Sequence, residues 1–502
     1  MSQSFELLKA RVRRVVYLNQ AAGLLGWDQQ TYMPAGAAET RGEQIGTLSE
    51  LAHELFTADE TGQLLEAAER ETEGMEADSD ERRMLALLRR QYERATRLPA
   101  SFVAELSRHQ SHSFRVWVEA RARNDFALFQ PALEKMFDLV GQQAGYYGYR
   151  DHIYDALLDG YEQGATHASV AAMFAGIKPA LVALTQAIVE SRRDESGVSA
   201  LQGFFPVEAQ RQLTLHVLEA IGFDLRRGRQ DEAAHPFCAN FGRDDVRLTT
   251  RYDTAHLTQG LYSSLHEAGH GLYEQGSAPE YEGTVLAGGT SLGVHESQSR
   301  LWENLVGRGR PFVRYLLPVL QRFFPDALEG VDAEDLYRAV NRVEPSLIRV
   351  EADEVTYNLH VLLRFEIESD LLTGKMAVRE LPEVWNARMR EYLGVVPPDD
   401  ASGCLQDVHW SEGLIGYFPT YSLGNLYSAQ IWDALRAALP DLDAQIERGV
   451  FAPMLDWLQQ HIYRYGSKYP PAELITRATG APPSADHYAA YLQTKYRDLY
   501  RL

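Results

Sequence analysis

The chain has 502 residues, 45% of them hydrophobic and 24% charged, with a formal net charge of −21. This is the composition of a soluble globular protein with material for a large core, and its acidity argues against a nucleic-acid partner. Two cysteines, Cys238 and Cys404, are too few for a disulfide framework, and the N-terminus lacks the apolar core and cleavage site of a secretory signal, so a cytoplasmic location is expected.

In chain order, "FELLKARVRRVVYL" and "ERRMLALLRRQYERA" carry apolar residues at three- and four-residue spacing and read as helices. The charge run "EAAERETEGMEADSDERR" reads as a solvated helix–helix connection. "LPASFVAELSRHQSHSFRVWVEARARNDFALF" reads as one long helix or a pair, entered at Pro99. "VAAMFAGIKPALVALTQAIV" is interrupted by Lys178 and Pro179, which predicts two buried helix segments and not a membrane span. "DVRLTTRYD" (245–253) alternates with period two and is the main strand candidate. "LYRAVNRV" is helical again, and "DAQIERGVFAPMLDWLQQHI" should break near Pro453. No repeat and no low-complexity linker divides the chain, so one domain over 1–502 is expected, mainly α with a small accessory sheet.

The chemistry concentrates in "SSLHEAGHGLYEQG" (263–276), a helix with Thr258 as its candidate cap and Gly276 as its stop. Four residues advance a helix by about 6 Å and about 400°, so His266 and His270 share a face and can grip one metal ion. Glu267 is rotated by about 100° from that face, beside the ion's open position, where a carboxylate serves as general base. Gly269 and Gly271 weaken a helix by about 1 kcal/mol each, which points to a close neighbour or to substrate. A third ligand must come from elsewhere. "SLGVHESQSRLWENLVGRG" reads as a second helix offering Glu296, Glu303 or His295. A di-iron alternative would pair Glu267/His270 with Glu232/His235, but Pro236 disfavours helix at His235.

Beyond this helix, "HPF" (235–237), "DVRLT" (245–249), "HEAGH" (266–270), "HESQS" (295–299), "IRVEAD" (348–353) and "GCLQDVHW" (403–410) stand in one order and spacing. With "WDQQTYMP", "YDALLDGYE" and "GYFPTYSLGN", they make the chain resemble the carboxypeptidase Taq family of metallocarboxypeptidases over nearly its whole length. The resemblance implies a helical, saddle-like fold with a deep groove, a metal-site core within about 235–425, and a homodimer. It implies removal of C-terminal amino acids from peptides with broad tolerance and poor cleavage next to proline. It also implies zinc, replaceable by cobalt, with Glu296 as third ligand and Glu267 as base.

A carboxypeptidase must hold a free carboxylate, for which a two-pronged arginine is best suited. Arg349 is the choice, expected near a helix start with Asp353 and Tyr357 on the same face. Asp353 would orient Arg349 or a ligand imidazole. Tyr421, Tyr417 and His409 are candidates for holding the oxyanion, and His235 and Arg247 for contacting or shaping the substrate site. "WDQQTYMP" reads as structural, with Trp27 and Met33 packing. Two rivals use the same residues: an oligopeptidase or dipeptidyl-carboxypeptidase, and a peptide-binding protein without catalysis.

Overall fold

A computed structural model describes residues 3–191, 201 and 203–502. The chain partitions into two compact units: Met1–Thr96, Ser196–Val340 and Ile431–Pro482 form the first, and Arg97–Glu195, Asn341–Gln430 and Pro483–Leu502 the second.

In the first unit, the helix Gln3–Thr31 packs against Ala38–Thr57 and Asp59–Thr72. Its Phe5, Leu8 and Val12 bury against Leu65, Met84, Leu85 and Leu88, and against Tyr281 and Leu286 from the connection that follows the motif helix. The sheet has three strands: β1 (Gly228–Glu232), β2 (Cys238–Asn240) and β3 (Val246–Thr250). β3 is central, parallel to β1 and antiparallel to β2. The strand expected over 245–253 is thus shorter, and it is joined by two strands that carry no alternating pattern. "GRQDE" is polar throughout and "CAN" is three residues long, so neither has a legible period.

The motif helix, Leu257–Gly276, packs on β3. It starts one residue before Thr258; His256 is its N-cap and supplies no side-chain bond, so the expected cap is not used. The second helix, Leu292–Arg300, is capped by Ser291 accepting from Val294 N. It runs directly into a π-helical turn, Leu301–Val306. A π turn inserts an extra residue per turn and re-aims the side chains beyond it.

In the second unit, Ala100–Arg123 and Phe126–Tyr147 form a packed pair, as the sequence suggested. His167–Ser191 runs as one helix, not the two segments expected. Pro179 lies on its exposed face, while Val170, Phe174, Ile177, Leu181, Leu184 and Ile188 form the buried stripe. That stripe packs on Tyr357–Leu372 and on Asp486–Tyr500. Tyr357–Leu372 is buried on nearly all sides, and its core-facing residues include the polar Asn358, His360, Arg364 and Glu368. In the C-terminal part of the chain, Leu442–Glu447 and Ala452–His461 are separated by the expected break, with Pro453 opening the second helix.

Candidate metal centre

Two backbones approach closely to build the site. A Cβ placed on Gly269 would lie 2.4 Å from Gln298 O and 2.5 Å from Ser299 Cα. Only glycine allows the motif helix to lie this tightly on Leu292–Arg300, which answers the question its presence raised. The contact brings His266, His270 and Glu296 together, with all three ligand atoms within 4.8 Å of one another. The Nε2 atoms of His266 and His270 lie 3.6 and 3.7 Å from Glu296 Oε2. Tetrahedral zinc with ligand bonds of about 2.0–2.1 Å separates its ligands by about 3.4 Å, so this donor set fits such an ion.

The surrounding residues fix how each ligand faces. With Nε2 aimed at the shared centre, His266 carries its proton on Nδ1 and donates it to Glu303 Oε2, 2.9 Å away. His270 Nδ1 lies 3.2 Å from His295 Nδ1. His270 is therefore the donor, His295 Nδ1 accepts, and His295 Nε2 donates to Glu274 Oε1 at 2.6 Å. Glu274 is held in turn by the Asn240 side chain from β2. Glu296 Oε1 accepts from Arg300 Nε at 2.6 Å, leaving Oε2 toward the histidines with Ser299 Oγ at 3.0 Å. Such partners set tautomer and ring orientation for a metal.

The electrostatics favour a cation. Burial pulls the His266 imidazole down, but Glu296, Glu303 and Glu267 outweigh it and push the group up to about 9. Burial raises Glu303, yet the His266 bond, Arg300 and Arg308 hold it well below the usual carboxylate range. Glu267 is pushed up to about 7 by burial, with His266 opposing. A carboxylate held near neutrality is suited to take up and release a proton.

Of the three candidates for third ligand, Glu296 lies in the cluster, while Glu303 and His295 each hold a ligand imidazole by its far nitrogen. The di-iron alternative fails, because Glu232 sits on β1 and bonds Arg211. Arg247 pairs with Asp245 at 2.8 Å and stacks over Trp27 at 4.4 Å, which ties β3 to the first helix. His235 is exposed, with Thr249 Oγ1 at 3.5 Å from its carbonyl.

The remaining candidates lie in the second unit and form their own cluster. Arg349 sits in a short 3₁₀ turn, not on the helix expected, because that helix starts only at Tyr357. Asp353 is the reason. It caps the turn, accepting from Val355 N, Thr356 N and Glu344 N, and it orients neither Arg349 nor an imidazole. Arg349 still meets Tyr357, donating to its hydroxyl at 3.1 Å, and is 5% exposed. Its Nε and Nη2 donate to Asp407 Oδ1 at 3.0 and 2.8 Å, and Arg364 Nε donates to Asp407 Oδ2 at 2.6 Å. The Tyr421 ring lies 4.9 Å from the Arg349 guanidinium, and His409 Nε2 lies 3.2 Å from Tyr421 Oη. Tyr417 packs edge-on against Tyr161 and lies 5.4 Å from the His409 ring. Burial pulls His409 down to about 4, so it is a neutral imidazole at working pH. Asp407, Arg364 and Glu274 are contributors that the sequence did not single out, and Glu303, weighed there as a ligand, instead bonds the far nitrogen of His266. Asp407 lies inside the "QDVHW" motif, and Glu274 follows His270 by four residues on one helix face.

The chain as a whole is similar to known proteins. The family model for carboxypeptidase Taq (M32) metallopeptidase matches residues 7–496. Thermostable carboxypeptidase 1 of Thermus thermophilus is 43% identical, covering 97% of both chains, and carboxypeptidase 1 of Bacillus subtilis is 36% identical over 99% of this chain and 98% of its own. The crystal structure of an M32 carboxypeptidase from Deinococcus radiodurans R1 superposes with a TM-score of 0.96 at 43% identity, covering all of both chains. The chain is thus a metallocarboxypeptidase and belongs to the carboxypeptidase Taq (M32) metallopeptidase family.

Proposed function

We propose that the protein removes single C-terminal amino acids from peptides in a zinc-dependent reaction, with broad side-chain tolerance. The observation that carries this reading is the convergence of His266, His270 and Glu296 on one centre with Glu267 beside it. Zinc, when bound, supplies a Lewis acid that polarises the scissile carbonyl and acidifies water. Glu267 takes the proton of the attacking water and returns it to the leaving amine. Poor cleavage next to proline is part of the proposal, since its ring fixes φ and removes the N–H that a bound peptide would otherwise donate to the site.

Arg349 is proposed to receive the terminal carboxylate. One carboxylate, Asp407, faces two guanidiniums in this buried cluster, Arg349 and Arg364. The net positive charge suits a substrate anion, and a buried charge without a partner is costly. Tyr421, with His409 bonded to it, is the proposed oxyanion donor, and neutral His409 and Tyr417 line its surroundings. Cobalt in place of zinc, a homodimer and a cytoplasmic location complete the proposal.

The test is a mixed peptide set incubated with metal-loaded and with chelated protein, read by mass spectrometry. Loss of one residue at a time from free C-termini, abolished by chelation and by C-terminal amidation, is the expected result. Cleavage of amidated peptides would favour the oligopeptidase reading, two-residue products the dipeptidyl-carboxypeptidase, and no cleavage at all the binding protein.

A further inference from the structure

Glu368 is a fully buried carboxylate that no step above uses. It sits on Tyr357–Leu372 and accepts from donors on separate segments: Tyr154 Oη at 2.6 Å, Trp410 Nε1 at 2.8 Å and Gly416 N at 3.1 Å. Trp410 directly follows His409, and Gly416 directly precedes Tyr417. One carboxylate therefore holds the chain immediately beside His409 and again just before the turn into Tyr417 and Tyr421. Arg364 lies one helical turn earlier on the same face and grips the preceding residues, donating to Asp407 Oδ2 at 2.6 Å and Gln406 Oε1 at 2.8 Å. The turn is packed without slack: Gly416 has φ +90°, and a Cβ there would lie 3.0 Å from Leu158 N.

Burying an ionisable group costs several kcal/mol unless its bonds repay it, so a core needing only adhesion would use an apolar residue here. Hydrogen bonds to a carboxylate are also directional, and they fix position where apolar packing does not. We propose that Glu368 is a positioning residue for peptide hydrolysis, fixing the 409–421 segment so that Tyr421 and His409 keep the geometry in which they meet the substrate. This rests on the reading of Tyr421 as oxyanion donor.

The test is a double-mutant cycle on the zinc-loaded enzyme, pairing Glu368→Gln with Tyr421→Phe. Glu368→Gln should lower kcat by ~10- to 100-fold with little change in KM, the scale of a misplaced catalytic group. Bound metal should be unchanged. In the Tyr421→Phe background the same substitution should cost less than about 3-fold, because the group it positions is already gone. Equal losses in both backgrounds would overturn the inference and leave Glu368 a structural residue. If Tyr421→Phe alone has no effect, the oxyanion reading falls and the inference falls with it; a costly Tyr421→Phe with equal Glu368→Gln losses leaves that reading standing. Should Glu368→Gln fail to fold, Tyr154→Phe removes one donor and keeps the carboxylate, and its smaller loss should show the same suppression.

Discussion

In the proposed site His266 and His270 would each use both ring nitrogens, so the residue behind each matters as much as the one in front. Glu303 is bonded to His266 Nδ1 and held there by Arg300 and Arg308 at 3.3 and 3.2 Å. Glu303→Gln keeps the shape but removes the charge, and metal affinity by chelator competition should fall ~10- to 100-fold. If Glu267 is the base proposed above, Glu267→Gln should behave differently: full metal content and a kcat lowered by ~10²- to 10⁴-fold. Unchanged hydrolysis in that variant would remove Glu267 from the mechanism. The sequence made the approach of His266 to His270 legible, because four-residue spacing puts them on one helix face. It left Glu296, Glu303 and His295 as alternatives, since seven residues put the two glutamates on one face. The π turn after Arg300 re-aims Glu303 behind His266, and no pattern of residue types announces such a turn.

At the level of elements, the site depends on how close two helices come. Gly269→Ala would press a methyl group into the Gln298 carbonyl and Ser299 Cα, which are main-chain atoms and cannot swing aside. The expected cost is at least about 1–3 kcal/mol, seen as a lower urea midpoint, with weakened metal binding because Glu296 moves with the displaced helix. A variant of wild-type stability would show that the approach is not needed. The sequence signalled this contact through a glycine that harms its own helix, but not the partner. Likewise the order Arg349, Asp353, Tyr357 suggested one helical stripe, whereas Asp353 spends its oxygens on a turn and delays the helix to Tyr357. The competition between an aspartate side chain and the helix it precedes is local, and spacing alone does not resolve it.

Across the whole molecule, the mainly α class with a small sheet was legible from periodicity, while the division into two units was not. Unit membership alternates along the chain, and nothing in composition marks the crossings. Stability as a whole sums opposing terms: burial holds His360 and His409 neutral, which favours higher pH, while two buried acids favour lower pH. Burial pushes Glu368 up to about 7, with Tyr154 and Trp410 opposing, and Asp353 up to about 6, with its Thr356 bonds opposing. Between the ordinary carboxylate value and these raised values, the folded state holds protons that the unfolded chain has released. Their contribution is therefore complete below about pH 4 and is lost as pH rises through 6 and 7. Between pH 5 and pH 8 the urea midpoint of the wild type should therefore decline relative to that of Glu368→Gln, whatever that variant's overall offset. Identical slopes would show that Glu368 does not titrate in this range.

The alternation also governs how the polypeptide is born. The first unit needs Met1–Thr96 together with Ile431–Pro482, and the second needs Arg97–Glu195 together with Pro483–Leu502. A ribosome delivering residues from the N-terminus must hand over nearly the entire chain before either unit can close. Nascent helices such as His167–Ser191, whose partners Tyr357–Leu372 and Asp486–Tyr500 come much later, then wait with their apolar stripes unshielded, so chaperone demand during synthesis should be high, and no truncation from either end should yield a self-sufficient fragment.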